Sequence, residues 1–523
     1  VGEFCQQDSV PLLEALLRHA SSRRERFHVP GHKGGLGAYS DWVRVFGRGV
    51  LDLDLTELPG LDDPHWPAPE GIVEQAQVLA AEAFGARDAR FLVGGATAGV
   101  LAMVLGAVRP RKLLLAAQPF HRSVAAAATL AGCELNSLPV RLAGSAGIPL
   151  PAPADALRRE IALRRPAAVL VTSPTYHGVT ADLRGYAEVC REGKIPLLVD
   201  AAHGAHFGFA PELPPEATRF GVSACVISLH KTAGALTPGA VLLIGPRDQE
   251  KRPAHGQEST AWIPGHERAA RTPGQDAPAT IDLARVDAAL RLVETSSPSF
   301  PVLASLDLAR RRLAVHGAED WGKAVKLASQ TASRIALEGF GWLGPFKAPH
   351  GQDQDPTRLT LELADETPPD LTGLELAQAA AAGAVDLEMA GWGHVVAVTG
   401  PADTPESHDC LVSVLTRALE VKTYSGPKRE LALAMEKDCW EAERVIVLTP
   451  AEAFRRRSRL VMVDEAAGRV AKDIISPFPP GVPLVFPGQR ITEADALYLT
   501  FLGQWGARAY GLTERTAQVE VIA

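Results

Sequence analysis

The first half of the chain alternates two kinds of segment, and this alternation constrains its fold more than any other feature. Residues 112–117 (KLLLAA), 167–172 (AAVLVT), 195–199 (IPLLV), 223–228 (SACVIS) and 239–244 (GAVLLI) are apolar at consecutive positions and are bounded by Gly, Pro or polar residues. A strand that is apolar on both faces needs cover on both faces. The stretches 121–131, 154–164 and 182–192 lie between these runs and are long and amphipathic enough to be helices. Strands alternating with helices in this way predict an α/β fold, a mostly parallel sheet flanked by helices. Residues 91–108 (FLVGGATAGVLAMVLGAV) carry no charge and approach the length of a membrane span. Their four glycines predict instead a buried strand, a turn and a buried helix.

The rest of the chain reads differently. Residues 142–153 (LAGSAGIPLPAP) are expected to form a loop, and 245–280 is a long polar, Pro/Gly-rich stretch in which 247–276 looks like an insertion. Helical text follows from about 281, including 302–337. Residues 338–523 then mix helices with strand-like 358–363, 394–399, 444–448 and 459–463. The expected division is an N-terminal arm over 1–50, a large α/β domain over 51–305 and a C-terminal α+β region over 306–523. With 53 Lys and Arg against 61 Asp and Glu, the net charge is −8 and the pI about 6.0. That balance argues against a nucleic-acid partner, which selects a basic excess. The six cysteines are scattered, with no CxxC pair and no His cluster at zinc spacing, so no metal site and a reducing, cytoplasmic setting are expected. No apolar leader is visible near Glu3 and Asp8, and no membrane association is expected.

In open α/β sheets, ligands collect at the carboxyl ends of the strands. Three strand ends here carry suitable groups. The run IPLLVDAAHGAH ends in Asp200 and is followed by His203 and His206. A carboxylate at a buried strand end calls for a cationic partner. The run SACVISLHKTAG ends in Ser228, His230 and Lys231, and a desolvated lysine amine is nucleophilic enough to form a Schiff base. The run LVGGATAGVLAMV turns on glycines into a helix, where free backbone N–H groups favour a phosphate. Each has a plain reading of its own: a turn-capping aspartate, a lysine reaching solvent, an ordinary Gly-Gly loop. Together they match one cofactor, pyridoxal 5′-phosphate, which has a ring nitrogen, an aldehyde and a phosphate to meet them.

At a larger scale, residues 27–35 (FHVPGHKGG), 52–63 (DLDLTELPGLDD), 172–180 (TSPTYHGVT), 228–232 (SLHKT), 295–307 (TSSPSFPVLASLD) and 476–488 (SPFPPGVPLVFPG) resemble the Orn/Lys/Arg decarboxylases. These are fold-type I pyridoxal-phosphate enzymes, and the short form without an N-terminal wing domain matches best. The resemblance is collinear over nearly the whole chain. It implies that Lys231 carries the cofactor as a Schiff base and moves protons, and that Asp200 keeps the ring nitrogen protonated. It also implies that Ser228, His230, Gly95, Ala96 and Thr97 hold the phosphate, that His121 stacks on the ring and that His203 lies beside it. The large domain over 51–305 would then bind the cofactor, and a homodimer or higher assembly is implied.

The expected reaction is α-decarboxylation of arginine, lysine or ornithine, with Glu57, Asp62 or Asp63 facing the distal cation of the substrate. The chain departs from the family pattern at Ala96, Val100, Gln118-Pro119-Phe120, Ala201 and Gln489. Two alternatives stand beside that expectation. One is an aminotransferase or lyase of the same fold. The other is a non-catalytic homologue, suggested by the hydroxyl missing at Ala96 and the altered stretch before His121.

Overall fold

The computed structural model describes residues 6–22, 24–64, 67–246, 279–339, 341, 343–349, 351–365, 367–368, 370–420, 427–478, 481–505, 508–513 and 517–523. The 247–276 insertion lies outside the described residues. The chain divides into two compact units, one of 1–107, 198–211 and 215–319 and the other of 108–197, 212–214 and 320–523.

In the first unit the strands Ala86–Leu92, Ala240–Pro246, Ala224–Ile227 and Leu197–Asp200 are neighbours in that order. The last two run parallel, and the other two pairings are antiparallel. All residues of Ala224–Ile227 and Leu197–Asp200 are buried, as continuous apolar runs require. The helix Gly95–Ala107 is apolar all round and packs directly on the sheet. A Cβ at Gly99 would lie 2.5 Å from Val226 Cγ2, so no larger residue fits there.

The N-terminal arm opens with the helix Pro11–Ser21, in which Leu12, Ala15 and Leu16 are buried. A fully buried ion pair, Asp307 with Arg310, ties the arm down. Asp307 accepts from the Leu12 N–H at 3.2 Å, and Arg310 donates to the carbonyls of Gln7 and Ser9, each at 2.6 Å. Both charges are thus met by further hydrogen bonds, without which burying them would be costly.

In the second unit the strands Ala168–Thr172, Leu113–Ala117 and Glu134–Leu138 lie side by side and parallel. Parallel pairings therefore outnumber antiparallel ones in the two strand sets, as the apolar runs predict. A four-stranded antiparallel sheet follows in the order Leu343–Pro345, Arg358–Leu363, His394–Val398 and Met389–Ala390. Its core of Leu361, Leu376, Val395, Val412 and Leu415 is covered by helices. Four helices of this unit start at a threonine, residues 372, 404, 449 and 492, in reciprocal capping boxes with Glu375, Ser407, Glu452 and Asp495.

Two sequence expectations fail here. Residues 142–153 are not simply a loop: Arg141–Ala143 pairs with Ile148–Leu150 as a short hairpin, and Ile148 and Leu150 are fully buried. Residues 444–448 form no strand, only an isolated bridge between Ile446 and Gln489. Among the described residues, no helix is long and apolar enough to cross a membrane.

Candidate active site

The parallel strands Leu197–Asp200 and Ala224–Ile227 are in register, with Asp200 opposite Val226, so both discharge their following residues at one edge. Asp200 is 4% exposed and accepts from the Ala202 N–H at 3.2 Å. Burial pushes its carboxyl above the ordinary aspartate range, while the positive charge of Lys231 and the Ala202 N–H pull the other way. One strand over, Ser228 stands at the N-cap position of the short helix Leu229–Thr232, with no side-chain capping bond, and the helix carries His230 and Lys231. Lys231 Nζ lies 3.0 Å from His203 Nε2. Lys231, Asp200 and His203 are thus brought together by two adjacent strand ends of one unit.

Lys231 is exposed. The reason is local, because the strand stops at Ile227 and the lysine sits on the helical turn beyond it. Its neighbour His230 commits Nδ1 to the Gly239 carbonyl at 2.9 Å, leaving Nε2 as the ring nitrogen it can offer a ligand. His206, by contrast, is fully buried with its ring against Phe207.

The glycine turn lies in the same unit. Gly95 has φ +76°, and a Cβ there would come within 3.3 Å of the Pro238 carbonyl oxygen, so only glycine suits it. Ala96 and Thr97 follow in the first turn of the helix, where N–H groups have no intrahelical partner. Sequence reasoning missed Glu294, whose two carboxylate oxygens accept from the Gly94 N–H at 3.1 and 2.9 Å. The 200-residue separation leaves no local signal for that contact.

Of the three acids proposed for a distal cation, Glu57 has the clearest vacancy for one. Its Oε2 accepts from Thr56 Oγ1 at 2.6 Å, while its buried Oε1 has no hydrogen-bond partner. Asp62 instead accepts from the Ala68 N–H at 3.3 Å. His121 belongs to the second unit, where its Nδ1 lies 2.8 Å from Ser123 Oγ. In that unit the departure Gln118 is buried and donates to the Pro483 carbonyl at 3.2 Å. The departure Gln489, also buried, accepts from the Phe486 N–H at 3.0 Å. Val100 and Ala201 are buried core positions.

A mostly parallel sheet with a lysine just past one strand and a buried aspartate closing the next defines a fold-type I pyridoxal-phosphate enzyme. The residues present fit that cofactor. Ser228 Oγ is fully buried without a hydrogen-bond partner, the Asp200 carboxyl lacks a hydrogen-bonded cation, and Ala96 and Thr97 lie in the first turn of a helix, where backbone N–H groups have no intrahelical acceptor. The chain belongs to the Orn/Lys/Arg decarboxylase family: the major-domain model matches residues 10–355 and the C-terminal-domain model residues 433–521. The arginine decarboxylase of Bacillus subtilis (strain 168) is 29% identical over 498 residues, covering 94% of this chain and 93% of that one. The inducible lysine decarboxylase of Escherichia coli (strain K12) is 42% identical, but over only 67 residues, 12% of this chain and 9% of that one. The structure of the constitutive lysine decarboxylase of Escherichia coli superposes with a TM-score of 0.78 at 17% identity, over 99% of this chain and 82% of that one. The chain is thus a pyridoxal-phosphate-dependent decarboxylase of the class that acts on basic amino acids.

Proposed function

We propose that this enzyme removes the α-carboxyl group of L-arginine, giving agmatine and carbon dioxide, and that Lys231, Asp200 and His203 carry the reaction. The observation that carries the roles is the cluster itself, an amine 3.0 Å from an imidazole and facing a buried carboxyl. Bound pyridoxal phosphate supplies an electron sink for the carbanion left when carbon dioxide departs. Asp200 would hold a proton on the ring nitrogen, because a buried carboxylate is stabilised by a neighbouring cation. Lys231 Nζ would hold the cofactor through its aldehyde carbon and would carry the proton that returns to Cα. His203 Nε2 orients that amine and exchanges the proton with it. Ser228, His230 Nε2 and the N–H groups of Gly95, Ala96 and Thr97 bind the phosphate. His121 stacks on the ring, and Glu57 Oε1 takes the guanidinium.

Arginine is favoured over lysine because the arginine decarboxylase relative aligns over 94% of the chain and the lysine decarboxylase relative over 12%. A panel assay with L-arginine, L-lysine and L-ornithine, measuring carbon dioxide and amine together, tests this. Equal amounts of carbon dioxide and agmatine are expected from arginine, at a kcat/KM at least about tenfold above the other two. Keto acid without carbon dioxide would overturn the reaction, and faster turnover of lysine would overturn the substrate.

The same reading includes a cytoplasmic homodimer whose amine product feeds polyamine synthesis. Apolar residues crowded on 27–46 support the dimer: Phe27 is 96% exposed and Tyr39 89%, with Leu36, Val45 and Phe46 also exposed. Sedimentation as a monomer at micromolar concentration would remove that part.

A further inference from the structure

Glu294 has no role in the mechanism above, yet its carboxylate rests on the phosphate turn. It follows the helix Leu283–Val293, which runs antiparallel to Gly95–Ala107: near the start of the first, Arg285 donates to the Leu105 carbonyl at 2.9 Å near the end of the second. That packing delivers Glu294 to the Gly94 N–H, one residue before the helix whose N-terminus receives the phosphate. The contact is close. A Cβ on Gly94 would lie 3.1 Å from each Glu294 oxygen, so the carboxylate is stacked on the turn itself.

On the glutamate's own helix are Arg285, Asp287 and Arg291, and Asp287 is paired with Arg90 of the strand Ala86–Leu92 at 2.9 Å. That strand also carries the mutually paired Arg87 and Asp88. The segment 233–239, whose Pro238 lies against Gly95, has no titratable residue, and His230 and Lys231 precede it.

We propose that Glu294 makes the grip of this turn on phosphate depend on its own charge, weak when the carboxylate is ionised and strong when it is protonated. The inference rests on the turn being the cofactor-phosphate site. Two anions within a few ångströms repel, and a partly buried site screens that repulsion less than open water does. Burial already pushes the Glu294 carboxyl up to about 7, against the pull of the Gly94 and Val93 N–H groups. The two states therefore exchange near neutral pH. By linkage, phosphate entry raises this group further and takes up a proton.

The test uses the full chain freed of cofactor, with pyridoxine 5′-phosphate and unphosphorylated pyridoxine as probes, since neither has the aldehyde that reacts with Lys231. Affinities are measured calorimetrically in the parent and in Glu294→Gln from about pH 6 to about pH 8.5. The two proteins should bind the phosphorylated probe alike at the acid end. At the alkaline end Glu294→Gln should bind it about five- to tenfold more tightly, with no difference for pyridoxine. Parallel pH profiles for the two proteins would overturn the inference. So would weaker binding by Glu294→Gln throughout, which would mark Glu294 as a clamp of the turn. Failure of the cofactor reading looks different: the parent would then bind the phosphorylated probe no better than pyridoxine at any pH.

Discussion

Two buried polar clusters in this molecule have similar ingredients and opposite characters. In the first unit, Asp200, His203 and Lys231 meet beyond two strand ends, and the arrangement is open. Lys231 is exposed, and the buried Ser228 hydroxyl finds no partner. In the second unit, His177 and His394 lie with their Nε2 atoms 2.9 Å apart, and the arrangement is closed. Thr360 donates to the His177 carbonyl at 3.0 Å, and Arg358 donates to the Tyr176 carbonyl at 3.2 Å. These bonds staple the 172–180 segment to the C-terminal sheet of the same unit. Burial of polar groups is common to both clusters, so burial alone does not mark the site. What separates them is access: the first includes an exposed amine that a ligand can reach, whereas the second is buried throughout and leaves the Nδ1 of each histidine without a hydrogen-bond partner.

The largest expected effect comes from removing the amine. Lys231→Ala should lower arginine decarboxylation by at least about three orders of magnitude and remove the visible absorbance of lysine-bound cofactor, while the melting temperature of the cofactor-free protein stays within about 2 °C. Asp200→Asn should come next, costing about two to three orders of magnitude in kcat with pyridoxal phosphate still bound, because the ring nitrogen loses its counter-ion. If Asp200→Asn keeps full kcat, the two clusters no longer differ in kind.

His177→Asn gives the converse outcome: kcat for arginine within about threefold of the parent, but a protein destabilised by about 1–3 kcal/mol in urea, because a buried partner of His394 is lost. A large loss of kcat without loss of stability would move this cluster into the machinery.

The smallest effect is a pH slope. Burial holds His394 down at about 4, and burial together with the neighbouring His394 and Arg358 holds His177 well below the usual histidine range. A histidine depressed in the folded state contributes stability that is complete above its unfolded value, about 6.5, and is lost as pH falls toward its folded value. Each should therefore cost up to about 1.4 kcal/mol per pH unit between about pH 6 and about pH 4.5. The double variant His177→Asn, His394→Gln should flatten that slope in urea titrations. An unchanged slope would show that other groups set the acid limit.

How much of this was legible in the chain follows from distance along it. Strands such as Ala168–Thr172 and Ala224–Ile227 fall within a residue of the apolar runs, because a run apolar on both faces has few other places to go. The glycine turn and Lys231 were legible because a residue type and its immediate neighbours carried the signal. The hairpin at 141–150 was not, since its Gly, Pro and Ala composition is that of a loop and only burial of Ile148 and Leu150 makes it a ladder. The strand expected at 444–448 failed for the opposite reason: apolar content was present, but pairing reached only the bridge from Ile446 to Gln489.

The sequence by itself determined the alternating α/β plan, the strand ends at which Asp200 and Lys231 stand and the family to which the chain belongs. Tertiary structure alone decided that Lys231 is exposed and held by His203, that His177 faces His394 across 217 residues, and that Glu294 lies on the Gly94 turn. Local sequence encodes periodicity and turn chemistry, which act over a few residues. Contacts between side chains hundreds of residues apart exist only once the core has fixed where each strand and helix ends, and the charge state of a buried group is set there as well.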